Sequence, residues 1–194
     1  MSTLLRKHNF DLVFDSQKVF RLVLEAISNP LKVVNIKPYS EKLYSEFPEF
    51  LVMALTLLDN EVNFHVCFNN DLSQEISSLT SSKSVGIQYA DFVFVTACDK
   101  LKDIVDKLKC GTIENPHKSA TLIIADNNDG FITKTFYGPG IDGKINLEVS
   151  IILENAVKLR DAQNYEYAQG IDLLFISKDN NLVFIPRLVK MEDS

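Results

Sequence analysis

A chain of 194 residues, 46% of them hydrophobic, can bury one sizeable core and is short for two, so a single domain over residues 1–194 is expected. A net charge of −6 and a pI near 5.1 leave no basic surface for phosphate backbones or anionic lipid, so neither nucleic acid nor membrane is expected as a partner. The longest apolar run, 50–58, is about half a bilayer span, and the N-terminus has no signal-type apolar core. Cys67, Cys98 and Cys110 are widely spaced and odd in number, which suits reduced thiols, and the expectation is a soluble cytoplasmic protein.

In chain order, Asp15 is placed to cap a helix running through Ser28. Its Val19, Phe20, Val23, Leu24 and Ile27 recur at helical spacing and predict a core-facing side; Asn29-Pro30 stops it, because proline disfavours helix in the residue before it. A second helix, 49–58, is apolar almost all round, which implies burial on more than one side. Val62, Phe64, Val66 and Phe68 alternate with polar residues as a strand with one apolar face would, and Asp71 with Gln74 can open a short helix after it. Residues 92–98 are apolar on both faces and predict a central strand covered on both sides. Asp99 is placed to cap a helix carrying Leu101, Ile104, Val105 and Leu108, which Gly111 ends. Residues 120–125 read as a strand, 126–130 as a turn and 131–137 as the returning strand. A helix over 147–160 precedes two last strands, 171–177 and 182–185. Crossovers and hairpins alternate in this order, so the fold class is α/β with a mixed sheet flanked by helices.

The sequence Gly138-Pro139-Gly140-Ile141-Asp142-Gly143-Lys144 spaces its glycines and lysine as a phosphate-binding loop would, making Gly138, Gly140 and Lys144 candidate ligand-binding residues. Ile145 stands where such a loop needs a hydroxyl, and Pro139 removes one backbone donor, so a glycine-rich turn is the stronger reading. Arg187 is a further candidate for an anion, since guanidinium matches carboxylate and phosphate geometry. If 178–181 connects a hairpin, Asp172 faces Arg187, and an internal ion pair between the two is the favoured role. His65 and Cys67 share a strand face without a third ligand in evident reach, and 126–130 resembles a calcium loop with its glycine misplaced; no metal site is expected. No Gly-x-Ser-x-Gly occurs, and no catalytic residue is assigned.

Several blocks fall together in one order: Phe20-Arg21, then Ala26-Ile27-Ser28-Asn29-Pro30, Leu55-Thr56-Leu57-Leu58-Asp59, Gly111, Ala120-Thr121-Leu122-Ile123, Gly138-Pro139-Gly140-Ile141, Gly170-Ile171-Asp172 and Pro186-Arg187. Together they resemble the PhnH family of carbon–phosphorus lyase core complex subunits across nearly the whole chain. The resemblance implies an accessory subunit in phosphonate catabolism that works with PhnG, PhnI and PhnJ and supports formation of ribose 1-phosphonate 5-triphosphate from ATP and a phosphonate. It also implies a fold like the large domain of pyridoxal-phosphate-dependent transferases, no cofactor, and a homodimer when isolated. Leu31 replaces the family's glycine after Pro30, and Tyr167-Ala168-Gln169 departs from its usual lead into Gly170. Two alternatives stand beside the accessory role: a nucleotide- or phosphonate-binding enzyme using loop 138–144, and an inactive dimeric relic of a pyridoxal-phosphate enzyme.

Overall fold

A computed structural model describes residues 8–96, 100–126 and 130–192. The helices are α1 (Phe14–Ser28), α2 (Lys37–Ser40), α3 (Pro48–Leu57), α4 (Asn70–Thr80), α5 (Leu101–Val105) and α6 (Ile151–Asp161). The strands are β1 (Val34–Asn35), β2 (Asn63–Val66), β3 (Lys83–Ser84), β4 (Phe92–Thr96), β5 (Thr121–Asp126), β6 (Phe131–Tyr137), β7 (Lys144–Ser150), β8 (Asp172–Ser177), β9 (Asn181–Ile185) and β10 (Lys190–Met191). A seven-stranded sheet has the order β1-β9-β8-β5-β4-β2-β3, and a three-stranded one the order β10-β6-β7. In the larger sheet β3, β2, β4, β5 and β8 are parallel, whereas β9 and β1 are added antiparallel, so the sheet is mixed.

The central strands are apolar on both of their faces because both sheet faces are covered, with Thr96, Thr121, Asp126, Asp172 and Ser177 only at their ends. Phe94, Ile123, Leu174 and Leu182 turn to a layer containing α1, α3 and α4; there the Phe94 ring meets Phe50 edge-on at 5.5 Å between centroids. Val93, Val95, Leu122, Ile124, Leu173 and Phe175 turn the other way, onto α5, α6 and the smaller sheet. The chain leaves β2 through α4 to reach β3 on one side, and leaves β4 through α5 to reach β5 on the other. Right-handed crossovers then require α4 and α5 to lie on opposite faces, as they do.

Several sequence expectations are corrected. Asp15 does not cap α1: Asp11 Oδ1 accepts the N–H groups of Val13 and Phe14, and Asp15 is instead buried against Lys42 Nζ at 2.8 Å from both carboxylate oxygens. Val19, Val23 and Ala26 form the buried side of α1, while Phe20, Leu24 and Ile27 are exposed, because the sheet covers only a narrow sector of the helix. Asn69, not Asp71, caps α4, its Oδ1 accepting the Leu72 N–H at 2.8 Å. Phe68 leaves the apolar face of β2 with φ +64° and is exposed. Gly111 lies beyond the end of α5 at Val105 and serves a loop against Pro116.

β6 does not return alongside β5: it pairs with β7 and β10 in the separate sheet. The expected helix over 147–160 is strand up to Ser150, whose Oγ accepts the Leu153 N–H and starts α6 at Ile151. Residue Cys98, the Asp99 cap, the end of the 92–98 strand and the middle of the 126–130 turn lie outside the described residues.

Candidate functional site

The β8–β9 hairpin decides where Asp172 and Arg187 meet. Its connection is 178–180, with Asn180 at φ +59°, as short hairpins require of their last loop residue. This shifts the register by one from the expected alignment: Leu173 faces Ile185, so Asp172 stands across from Pro186. Arg187 closes the gap from just beyond the ladder. Its backbone N–H donates to Asp172 Oδ1 at 2.8 Å, Nε donates to the same oxygen at 3.2 Å, Nη2 donates to Oδ2, and Nη1 donates to the Pro116 carbonyl at 2.5 Å. Both side chains are mostly buried, at 17% and 15% exposure. Three of the five guanidinium N–H donors of Arg187, and its backbone N–H, are thus taken up inside the protein.

Gly170 permits this packing. Its φ is +141°, and a Cβ there would lie 3.0 Å from Arg187 Cβ, while its N–H donates to the Cys110 carbonyl at 3.0 Å. Cys110, Gly111, Pro116, Gly170, Asp172 and Arg187 therefore form one interlocked cluster where parallel strands β5 and β8 begin.

Loop 138–143 is the turn of the β6–β7 hairpin, with Tyr137 facing Lys144. Gly138 has φ +137°, and a Cβ on it would sit 2.9 Å from the Leu188 carbonyl; Gly140 lies against the Pro30 ring. Lys144 pairs with Glu192. The loop joins two strands and no helix begins at it, so its N–H groups lack the convergence that a phosphate cradle has. Gly138, Gly140 and Lys144 are brought together only as a hairpin end, separate from Arg187.

The opposite end of the sheet holds a crevice that the sequence did not point to. Connections leave β2 and β4 in opposite directions, which makes the gap between their C-terminal ends a switch point of the kind where α/β sheets bind ligands. A cavity of 210 Å³ opens there between Phe47, Phe50, Val66, Phe68, Phe94 and Thr96. It adjoins a 520 Å³ cleft that shares Phe47, Asn69 and Leu72 with it and is rimmed by Glu46, Asp71 and Glu75. Phe68 stands at the mouth in a left-handed conformation that a bulky residue rarely adopts, with Lys100 Nζ 5.6 Å from its ring centroid. His65 is not available to a metal through Nδ1, which donates to the Val85 carbonyl at 2.8 Å. Among the described residues no group of three or more His, Cys, Asp or Glu side chains could hold a metal ion. Among the described residues the crevice offers an apolar floor, which Cys67 also lines, and an acidic rim: surfaces suited to binding. The only sequence signal for it was the strand–turn–helix order itself, and the alternation in β2 pointed Phe68 the wrong way.

Among the described residues no helix is long and apolar enough to cross a membrane. Comparison with known proteins adds a relative, HtxG of Stutzerimonas stutzeri, a candidate C-P lyase subunit protein, 26% identical over 178 residues that cover 88% of this chain and 83% of that protein. Residues 8–192 match the family described as Bacterial phosphonate metabolism protein (PhnH). That span takes in both faces of the large sheet, the β6–β7 hairpin and the Asp172–Arg187 cluster, and the chain belongs to the PhnH family of bacterial phosphonate metabolism proteins.

Proposed function

We propose that this chain is an accessory subunit of a carbon–phosphorus lyase assembly in phosphonate catabolism. In this reading it docks on PhnG-, PhnI- and PhnJ-like subunits and supports formation of ribose 1-phosphonate 5-triphosphate without bond-making groups of its own. Family membership and the C-P lyase subunit name of the relative support the setting. The observation that carries the docking role is the outer side of α1. Val13, Phe20, Leu24 and Ile27 are 71%, 49%, 50% and 42% exposed and follow one another along a single stripe, spaced as in a helix-packing seam. Contiguous exposed apolar surface of this kind marks contact with another protein. In the isolated chain the same stripe would close on a second copy, giving the homodimer. The likeness to the large domain of pyridoxal-phosphate-dependent transferases and the single-domain organisation belong to the same proposal.

Co-expression with PhnG, PhnI and PhnJ tests it. The chain should co-purify with them, and adenine release from ATP and methylphosphonate should require the assembly. Phe20→Asp with Leu24→Asp should abolish co-purification while leaving the circular-dichroism spectrum unchanged. Adenine release by the chain alone, or full co-purification of the double variant, would count against the reading. ATP titration addresses loop 138–144 directly: a Lys144→Ala variant that loses measurable ATP binding would favour an enzyme of nucleotides or phosphonates instead.

A further inference from the structure

Among the described residues four strands lie at sheet edges. β1, β3 and β10 span 2 residues each, whereas β7 spans 7 and has β6 as its neighbour on one side alone. The ladder fixes which of its backbone groups are unused. Glu192 N–H donates to the Thr135 carbonyl at 2.9 Å, so Thr135 turns its backbone toward β10 and away from β7. Thr135 and Asn146 are then a non-hydrogen-bonded pair, in keeping with their side chains meeting at 2.9 Å. Backbone direction alternates along a strand, so the N–H and C=O groups of Asn146 and Glu148 point outward from the free edge.

That edge borders a cavity of 400 Å³. Its inner wall is apolar, from Val33, Leu147, Phe175 and Val183, and Glu148 and Asp179 stand at its rim. Among the described residues no lysine or arginine lines it, and neither carboxylate takes part in an ion pair. Leu147 packs toward the core, so the Asn146 and Glu148 side chains lie on the outer face.

We propose that this groove takes an extended segment of a partner chain, added as a strand along β7, with apolar residues inward alternating with lysine or arginine outward. Outward Asn146 and Glu148 backbone groups supply the hydrogen bonds, and the apolar wall takes the inward side chains. Cross-strand pairing sets a cation beside Glu148, with Asp179 reinforcing it, and the same charges repel acidic or self-like strands. The proposal deepens the subunit reading by giving its partner a chemistry, and it rests on that reading for biological meaning.

The test uses the full chain alone and a short peptide alternating valine with lysine, set against the same peptide with glutamate in place of lysine. The lysine peptide should bind and slow amide hydrogen exchange at Asn146 and Glu148, and the glutamate peptide should bind about tenfold or more weakly at low salt. Glu148→Lys should reverse that preference. Asn146→Pro should abolish binding without unfolding, since it deletes an outward N–H that β6 does not use. Equal binding of both peptides, protection elsewhere, no binding of the lysine peptide, or a β7-to-β7 dimer without peptide would each overturn the proposal. Loss of assembly-dependent adenine release with peptide binding intact would instead strike the subunit reading alone.

Discussion

Removing either partner of the Asp172–Arg187 pair should destabilise the fold by unequal amounts, because the two truncations strand different groups. Arg187→Ala deletes the donors to Asp172 and to the Pro116 carbonyl, yet leaves Asp172 the backbone N–H of residue 187. Asp172→Ala strands three donors of Arg187 at once: its backbone N–H, Nε and Nη2. Breaking a fully buried pair costs about 3–5 kcal/mol; at 17% and 15% exposure, water recovers part of that. We expect about 2–3 kcal/mol for Arg187→Ala and about 3–4 kcal/mol for Asp172→Ala. The double variant removes the stranded charge as well as the pair and should cost about 1.5–2 kcal/mol less than the sum. For a chain of this length the single losses correspond to roughly 5–15 °C in melting temperature. Urea titration of the four proteins supplies the free energies. Additivity within about 0.5 kcal/mol, or a single variant as stable as the parent, would refute the reasoning, and so would an anion that stabilises the parent but not Arg187→Ala.

Gly138→Ala should lower stability by about 1–3 kcal/mol in thermal melts, since φ +137° is strained for alanine and its Cβ would meet the Leu188 carbonyl at 2.9 Å; a neutral result would mean the hairpin end shifts freely. Arg160 is buried and donates to the carbonyls of Ile185, Pro186 and Val189, so Arg160→Met should cost about 3 kcal/mol or more in urea titration, and under about 1 kcal/mol would contradict that accounting. Burial raises the Asp15 pKa, but hydrogen bonds from Lys42 and from the Asp11 N–H outweigh it and hold the carboxyl below its ordinary 3.8. A folded value below the unfolded one gives stability that is present above the unfolded pKa and lost as pH falls through the folded value. Lys42→Met should therefore weaken the protein at neutral pH and flatten its loss of stability below about pH 4, and parallel stability–pH curves would exclude the pairing.

The large sheet was legible because its central strands are apolar on both faces between polar ends, and β4 and β5 end within a residue or two of their expected limits where they are described. The smaller sheet was not. Residues Ile145, Leu147 and Val149 alternate as a strand should, but Leu153, Ala156 and Val157 continue an apolar pattern at helical spacing, and the two periods merge without a glycine or proline between them. Ser150, the cap that separates them, resembles any other serine in the sequence. The Asp172–Arg187 contact was inferred from a hairpin one loop residue longer than the real one. The long, forked arginine side chain and its backbone N–H tolerate that error in register where two short side chains would not.

The least legible feature is the destination of apolar side chains, and it bears on function. Val19, Phe20, Val23, Leu24 and Ile27 look alike in sequence, yet Val19 and Val23 are interior while Phe20, Leu24 and Ile27 face outward. Helical periodicity reports how wide an apolar stripe is, but not whether its far side meets this chain or another. The last blocks of the family signature gather where the parallel strands begin, and there Asp172 and Arg187 consume much of one another's hydrogen-bonding capacity while Gly170 gives Arg187 room to pack. Such a cluster fixes the scaffold and leaves little with which to hold a ligand. Among the described residues, open surface lies elsewhere: the α1 stripe, the outward groups of β7 and the crevice between β2 and β4. A fold whose internal contacts are closed at the Asp172–Arg187 cluster and open along a helix face and a strand edge places the proposed docking on those two surfaces and away from that cluster.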